Sequence, residues 1–315
     1  MHVILRSHQS PGDIVMLTAA VRDLKSIRPE WSIDVRTSCP ELWENNPHLT
    51  ELCLGESDVQ DIYCEYPLIH DSNRLPYHFI HGYHDFLSKR LAVDLRPKVF
   101  AGDLHMTVPE RQERPKVIYE RIGERPYWVM CGGGKRDYTI KWWLPQRWQE
   151  VVDQLQNVVH FVQVGSGEHV HPGLASVTQL VGKTSLRELM QVIYFADGVV
   201  TPVSLNMHIS AALRREGRIQ PCVVIAGGRE GNHWECYPGH TFKHTIGALF
   251  CCEAGGCWKA RSHRLYDGDK NDESLCLWTV KGNPKCMDMI DAESVARSIA
   301  MYVDGRELSR GVSCV

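Results

Sequence analysis

The chain has 315 residues, 43% hydrophobic and 23% charged, with a formal net charge of -3 and a sequence pI near 6.6. That size and composition suit two ordinary domains with apolar cores, not a disordered or fibrous chain. The mild acidity excludes nucleic-acid binding through bulk electrostatics, and the opening Met-His-Val-Ile-Leu-Arg-Ser-His is too short an apolar run for a signal peptide or membrane span, which predicts a cytoplasmic protein.

Residues 2–6 read as a buried strand, and 7–13 as a turn holding Pro11 and Gly12. From Ile14 to Ile27 the apolar positions Ile14, Leu17, Val21 and Leu24 keep helical spacing. Pro29 ends that run, and Ser32 to Arg36 alternates as a second strand. This β-loop-α-β order opens a parallel, doubly wound sheet. Thr107 to Pro126 carries three prolines and many charges, the composition of a linker. The predicted division is an N-terminal unit at 1–110, a linker at 111–126 and a C-terminal unit at 127–315.

In the second unit each predicted strand ends in small residues. Tyr127–Met130 runs into Gly132-Gly133-Gly134, His160–Val164 into Gly165-Ser166-Gly167, and Cys222–Ala226 into Gly227-Gly228. Short strands are expected at 177–180 and 198–201, and helices at 145–155, 185–196 and 207–213. Open α/β sheets bind ligands beyond the carboxyl ends of their strands, where glycine lets backbone N–H groups approach phosphate. The expected fold class is therefore α/β, with two Rossmann-like doubly wound domains facing a cleft, the GT-B architecture.

Twelve cysteines are many for a chain of this kind, and five fall between Cys251 and Cys286. Four thiolates close a tetrahedral site for zinc or iron. Cys252, Cys257, Cys276 and Cys286 are the preferred four, with Cys251 as substitute, in a Cys-rich segment at 250–287. The segment is otherwise polar and poor in core residues, so a structural metal would supply its folding energy. Buried, unliganded thiols are the competing reading.

Several segments resemble a known family. Ser10-Pro11-Gly12-Asp13-Ile14-Val15-Met16-Leu17-Thr18 resembles the N-terminal signature of glycosyltransferase family 9, the ADP-heptose heptosyltransferases. Lys141-Trp142 with Pro145 and Trp148 is similar to its Lys-x-Trp-Pro segment. Val181-Gly182-Lys183-Thr184-Ser185-Leu186 is similar to its Gly-Lys-Thr-Ser-Leu element, and Met207-His208-Ile209-Ser210-Ala211-Ala212 to the start of its Met-His helix. The Cys cluster looks similar to the Cys-bound iron finger of bacterial autotransporter heptosyltransferases, with different spacing. One departure stands out: the family carries Asp-Ser/Thr-Gly before the Met-His helix, and here the places hold Val203-Ser204-Leu205.

The resemblance implies sugar transfer from a nucleotide-diphosphate sugar, ADP-sugars favoured, to a glycan or protein hydroxyl with inversion. Asp13 is then the base that deprotonates the acceptor; its local reading is a helix cap. Lys141 stabilises the departing diphosphate; its local reading is a surface cation. Gly12, Gly165 and Arg229 fall on the predicted rim. Ser204, Asn206, Met207 and His208 present a helix start to pyrophosphate. Lys183, Thr184, Ser185 and Leu186 carry the nucleobase edge, which is compatible with their local reading as a helix start with a capping box to Glu188. Where the family has its sugar-holding Asp, Val203 leaves the donor sugar open between heptose and another hexose-like sugar. A nucleotide-sugar epimerase or hydrolase on the same fold, and a non-catalytic sugar-nucleotide-binding assembly protein, are the alternatives. An oligomer is compatible with each.

Overall fold

β1 (His2–Ser7) is central to the first sheet, and Val3, Ile4 and Leu5 are fully buried, as a parallel strand covered on both faces requires. The computed structural model describes every residue except 54–57, 66–74, 76, 216, 267–273 and 312–315. The helix after β1 begins earlier than its apolar spacing predicts. α1 runs Pro11–Ile27, with Ser10 as N-cap and Pro11 in the first position, where its fixed φ suits a helix start. Asp13 is therefore not the cap. It sits in the first turn and accepts the Ser10 N–H at 3.1 Å. β2 (Ser32–Thr37) and β3 (Val59–Tyr63) flank β1, both parallel to it.

α2 (Ile80–Leu91) packs on α1 through a buried hydrogen bond between His84 Nε2 and Asp23 Oδ2 at 2.9 Å. Burial alone would raise the Asp23 carboxyl. Hydrogen bonds from His84, Arg22 and the Lys98 N–H overcome it and hold Asp23 at about 2. Two short helices, α3 (Val108–Gln112) and α4 (Lys116–Ile122), occupy the Pro-rich segment.

The second sheet contains β4 (Trp128–Met130), β5 (Phe161–Gln163), β6 (Val177–Gln179) and β7 (Gly198–Pro202), with α5 (Pro145–Leu155), α6 (Leu186–Phe195) and α7 (Leu205–Ala212) between and after them. A two-residue hairpin, β8 (Arg214–Arg215) and β9 (Arg218–Ile219), leads to β10 (Cys222–Gly227), α8 (Asn232–Glu235) and β11 (His240–His244). Beyond the Cys-rich segment lie β12 (Thr279–Val280), β13 (Asn283–Pro284), α9 (Lys285–Asp288) and α10 (Ala292–Gly311). The sheet order is β11-β10-β7-β4-β5-β6, all parallel. The chain thus winds outward from β4 to β6, then returns to the other side of β4 as β7. The crevice of such a sheet opens where the winding reverses, beyond the ends of β4 and β7.

α1 and α7 touch, and Val15, Met16, Ala19, Met207 and Ala211 share one apolar core. Phe79 donates its N–H to the Trp234 carbonyl at 2.8 Å, a second tie between the halves. A third is Arg187 on α6. Its guanidinium binds the Glu110 carboxylate at 2.5 and 3.0 Å and the carbonyls of His105 (3.0 Å) and Glu41 (3.3 Å). The Pro-rich segment is thus anchored rather than loose.

Candidate active site

Four elements bring side chains to the crevice. α1 follows β1 and carries Asp13. A 3-10 turn after β4 (Arg136–Lys141) ends in Lys141, α7 follows β7, and the end of β10 leads to Arg229, Glu230 and α8. Lys141 Nζ lies 2.9 Å from Glu230 Oε1, and the same oxygen also takes the Arg229 guanidinium. Although 24% of the Lys141 side chain reaches solvent, its ammonium is enclosed. Burial and then repulsion from Arg229 pull that ammonium down to about 8, against the attraction of Glu235 and Asp13. The Glu235 carboxyl is raised, chiefly by burial, with Lys141 and Arg229 opposing and Asp13 reinforcing. Asp13 also acts on Tyr237 and Tyr83, both raised first by burial. Asp13, Lys141, Arg229 and Glu235 are one electrostatic cluster spanning both halves.

Arg229 does not project freely. Its Nε donates to the Lys259 carbonyl at 2.7 Å, and its guanidinium lies 5.3 Å from each of the Tyr138 and Trp258 ring centres. It is better placed to hold Glu230 and the Cys-rich segment than to reach out to a ligand. Glu230 and Glu235 belong to no motif that assigns either a role. Glu230 adjoins Arg229 and Glu235 lies in an aromatic stretch, but no local pattern marks either as buried; only the tertiary fold does.

α7 also begins earlier than its spacing predicts, at Leu205, because Ser204 caps it. Ser204 Oγ receives the Asn206 N–H at 3.3 Å and pairs with Thr201 Oγ1 at 2.7 Å. The Met207 N–H bonds the Ser204 carbonyl at 3.2 Å. The Asn206 and Met207 amides are thus partnered within their own turn. Asn206 Oδ1 is buried with no hydrogen-bond partner among the described residues.

His208 pairs its Nδ1 with Tyr237 Oη at 2.6 Å, and Tyr237 donates to Met16 Sδ at 3.0 Å. Burial, then Lys141, His78 and His240, lower His208 to about 3. Its ring faces Gly12: a Cβ there would lie 2.8 Å from His208 Cδ2 and 3.1 Å from Nε2. Glycine is needed at 12 so that α1 can approach α7.

Gly165 plays a comparable part beside another ring, since a Cβ there would overlap the His171 imidazole. The surface over Gly165 is thus taken by a side chain. The Gly182 N–H bonds the Gly165 carbonyl at 2.8 Å, which brings Lys183 to the same rim, exposed. Thr184 is half-buried beside it. Ser185 caps α6 with a reciprocal box, Ser185 N to Glu188 Oε2 at 2.8 Å and Glu188 N to Ser185 Oγ at 3.1 Å, while Leu186 packs on the core. The helix-start reading of this segment therefore holds.

Of the segment around Lys141, most is packing. Trp143 donates to the Ile290 carbonyl at 3.0 Å and meets Trp148 edge-on at 5.0 Å. The Cys-rich segment supports the turn from the other side. The Ile140 N–H bonds the Ala260 carbonyl at 3.1 Å, and Thr139 Oγ1 accepts the Ser262 N–H at 2.8 Å. Cys251, Cys252, Cys257, Cys276 and Cys286 line one cavity of this segment, next to Gly228. No three of these sulfurs lie within 4.8 Å of one another among the described residues. Cys252 donates to the Leu249 carbonyl at 3.3 Å, and burial pushes Cys286 up to about 12. Residues 267–273 of the predicted Cys-rich segment lie outside the described residues.

Two parallel doubly wound sheets whose strand ends meet at a charged crevice define the GT-B class of fold. Residues 64–217 match the family model described as glycosyltransferase family 9 (heptosyltransferase), and the chain is a glycosyltransferase resembling that family. The solved structures agree in fold. The family 9 glycosyl transferase of Veillonella parvula DSM 2008 superposes with a TM-score of 0.66 at 12% identity, over 96% of this chain and 97% of that one. Escherichia coli ADP-heptose lps heptosyltransferase II gives 0.60 at 16%, over 98% and 100%. The iron-containing dodecameric glycosyltransferase TibC of enterotoxigenic E. coli H10407 gives 0.60 at 16%, over 98% and 76%. No curated protein sequence matches the chain. Among the described residues no helix is long and apolar enough to cross a membrane.

Proposed function

We propose that this glycosyltransferase moves a sugar from a nucleoside-diphosphate sugar to an acceptor hydroxyl, with inversion at the anomeric carbon. The observation that carries the reading is the charge cluster of Asp13, Lys141 and Glu235 at the crevice. The Asp13 carboxylate takes the acceptor proton as the hydroxyl oxygen attacks. The anomeric C–O bond to the diphosphate breaks, and Lys141 meets the charge that develops on the leaving oxygen. The donor sits on the 127–315 side and the acceptor on the 1–110 side. An ADP-sugar is favoured, since the heptosyltransferase neighbours include TibC in complex with ADP-D-beta-D-heptose. With Val203 in place of a sugar-holding Asp, the transferred sugar is read as heptose or another hexose-like sugar.

The test has two parts. In a thermal-shift screen, ADP-sugars at a hundred times Kd should stabilise the fold by about 2.7 kcal/mol, a shift on the order of 5 °C. Incubated alone, the donor should persist. Rapid turnover of donor without acceptor would make the protein a hydrolase and overturn the reading.

The reading includes a structural zinc or iron at Cys252, Cys257, Cys276 and Cys286, with Cys251 as alternative. The donor set fits, since five soft thiols face one cavity. Bonds of about 2.3 Å would require the sulfurs to close to roughly 3.8 Å from one another. The metal would hold the segment that braces the Lys141 turn, with no open position for substrate. Elemental analysis of protein purified without chelators should find one equivalent of zinc or iron. Cys286→Ser should lose it, with a lower Tm and weaker turnover. Metal-free protein of full stability would leave ordinary thiols.

A further inference from the structure

A second group of metal-ligating side chains lies away from the crevice. His48 is in the turn after β2, and Asp103 and His105 are in the segment between α2 and α3. His48 Nε2 is 3.3 Å and His105 Nε2 is 2.8 Å from the same Asp103 oxygen, Oδ2. Among the described residues this is the only group of three metal-ligating residues whose ligand atoms all lie within 4.8 Å of one another. The two rings meet edge to face at 6.0 Å.

The backbone of each residue is pinned. The His48 N–H bonds Asn46 Oδ1 at 2.9 Å, the Asp103 N–H bonds Thr18 Oγ1 at 2.7 Å, and the His105 carbonyl takes the Arg187 guanidinium at 3.0 Å. The side chains are between a fifth and a third exposed, so an ion and a water can reach them.

Zinc bound tetrahedrally by imidazole nitrogen and carboxylate oxygen has bonds near 2.0 Å, which puts its ligands about 3.3 Å apart. The two N···O separations here are close to that edge already. We propose that His48, Asp103 and His105 hold one zinc ion, with water as the fourth ligand. Arg22 and Lys25 lend positive charge near His48, and the Asp103 carboxylate offsets it. The ion would clip the turn after β2 to the strip of chain that crosses toward the second sheet, next to the Arg187 anchor. It is independent of the thiol cluster. Without an ion, the same three side chains would be an Asp accepting from two imidazoles, and nothing would be retained on purification.

Cobalt(II) titration of the full-length protein separates the two sites. Nitrogen and oxygen ligands give weak visible bands, whereas thiolates add strong near-ultraviolet charge-transfer absorption. Wild-type protein should take up one equivalent without the thiolate signature, beyond any thiolate-bound ion. His105→Ala and Asp103→Asn should lose that equivalent alone, and zinc should raise the Tm of wild type but not of these variants. If His105→Ala does not fold, His48→Gln on the partly exposed turn serves the same comparison. Equal cobalt uptake by wild type and variants, or uptake with only the thiolate signature, overturns the proposal.

Discussion

Replacing Asp13 with Asn should lower kcat by about 10²- to 10⁴-fold, the range for loss of a positioned general base. Asn keeps an oxygen able to accept the Ser10 N–H, so the helix start survives. Asp13→Ala removes both the base and that acceptor, and should add about 1 kcal/mol of destabilisation. The pair of variants therefore separates chemistry from capping. Turnover and Tm are measured on both. If Asp13→Asn transfers sugar as well as wild type, Asp13 is only a structural residue of α1, and another group must take the acceptor proton.

Lys141→Met should cost about 10²- to 10³-fold in kcat, comparable to removing one donor from a preorganised anion site. The pH profile makes the assignment specific. The ammonium is held down to about 8 by burial and by Arg229, so it is charged below that pH and neutral above it. A cation that binds a leaving diphosphate is thus lost as pH rises. Wild-type kcat/KM should fall about tenfold per pH unit beyond 8. A bound donor adds negative charge beside Lys141, so the limb in kcat should lie at higher pH than the limb in kcat/KM. Lys141→Arg keeps the charge and should flatten the limb, while Lys141→Met should flatten it at a low rate. A wild-type profile level to pH 10 would remove Lys141 from the mechanism.

Much of the fold is legible in the sequence because its strands are short apolar runs and its helices keep apolar spacing. β1, β4, β7 and β10 all fall where alternation or burial placed them. Helix starts are displaced for a local reason. Apolar spacing begins at Ile14 and Met207, but Pro11 and Ser204 open the first turn earlier, and a first turn need not be apolar. The site is only half legible. Asp13 and Lys141 sit in recognisable segments. Glu230 and Glu235 become part of it only because β10 lies next to β7 in the sheet. His48 is separated from Asp103 and His105 by more than fifty residues, and no spacing rule joins it to them. Gly165 reads as a phosphate turn by composition, yet its missing side chain makes room for His171.

The contact between Gly12 and His208 carries an evolutionary consequence. The two positions lie in different halves of the chain, yet neither can grow without the other shrinking. Neighbours of this kind lose additivity: a second change can rescue a first that is harmful alone. A methyl group at position 12 would be paired most readily with a smaller residue at 208, and Tyr237 would then lose its hydrogen bond to the imidazole. Drift at the join between the halves is therefore confined to linked steps through three positions. A homologue that carries a side chain at the place of Gly12 should differ at the places of His208 and Tyr237 as well.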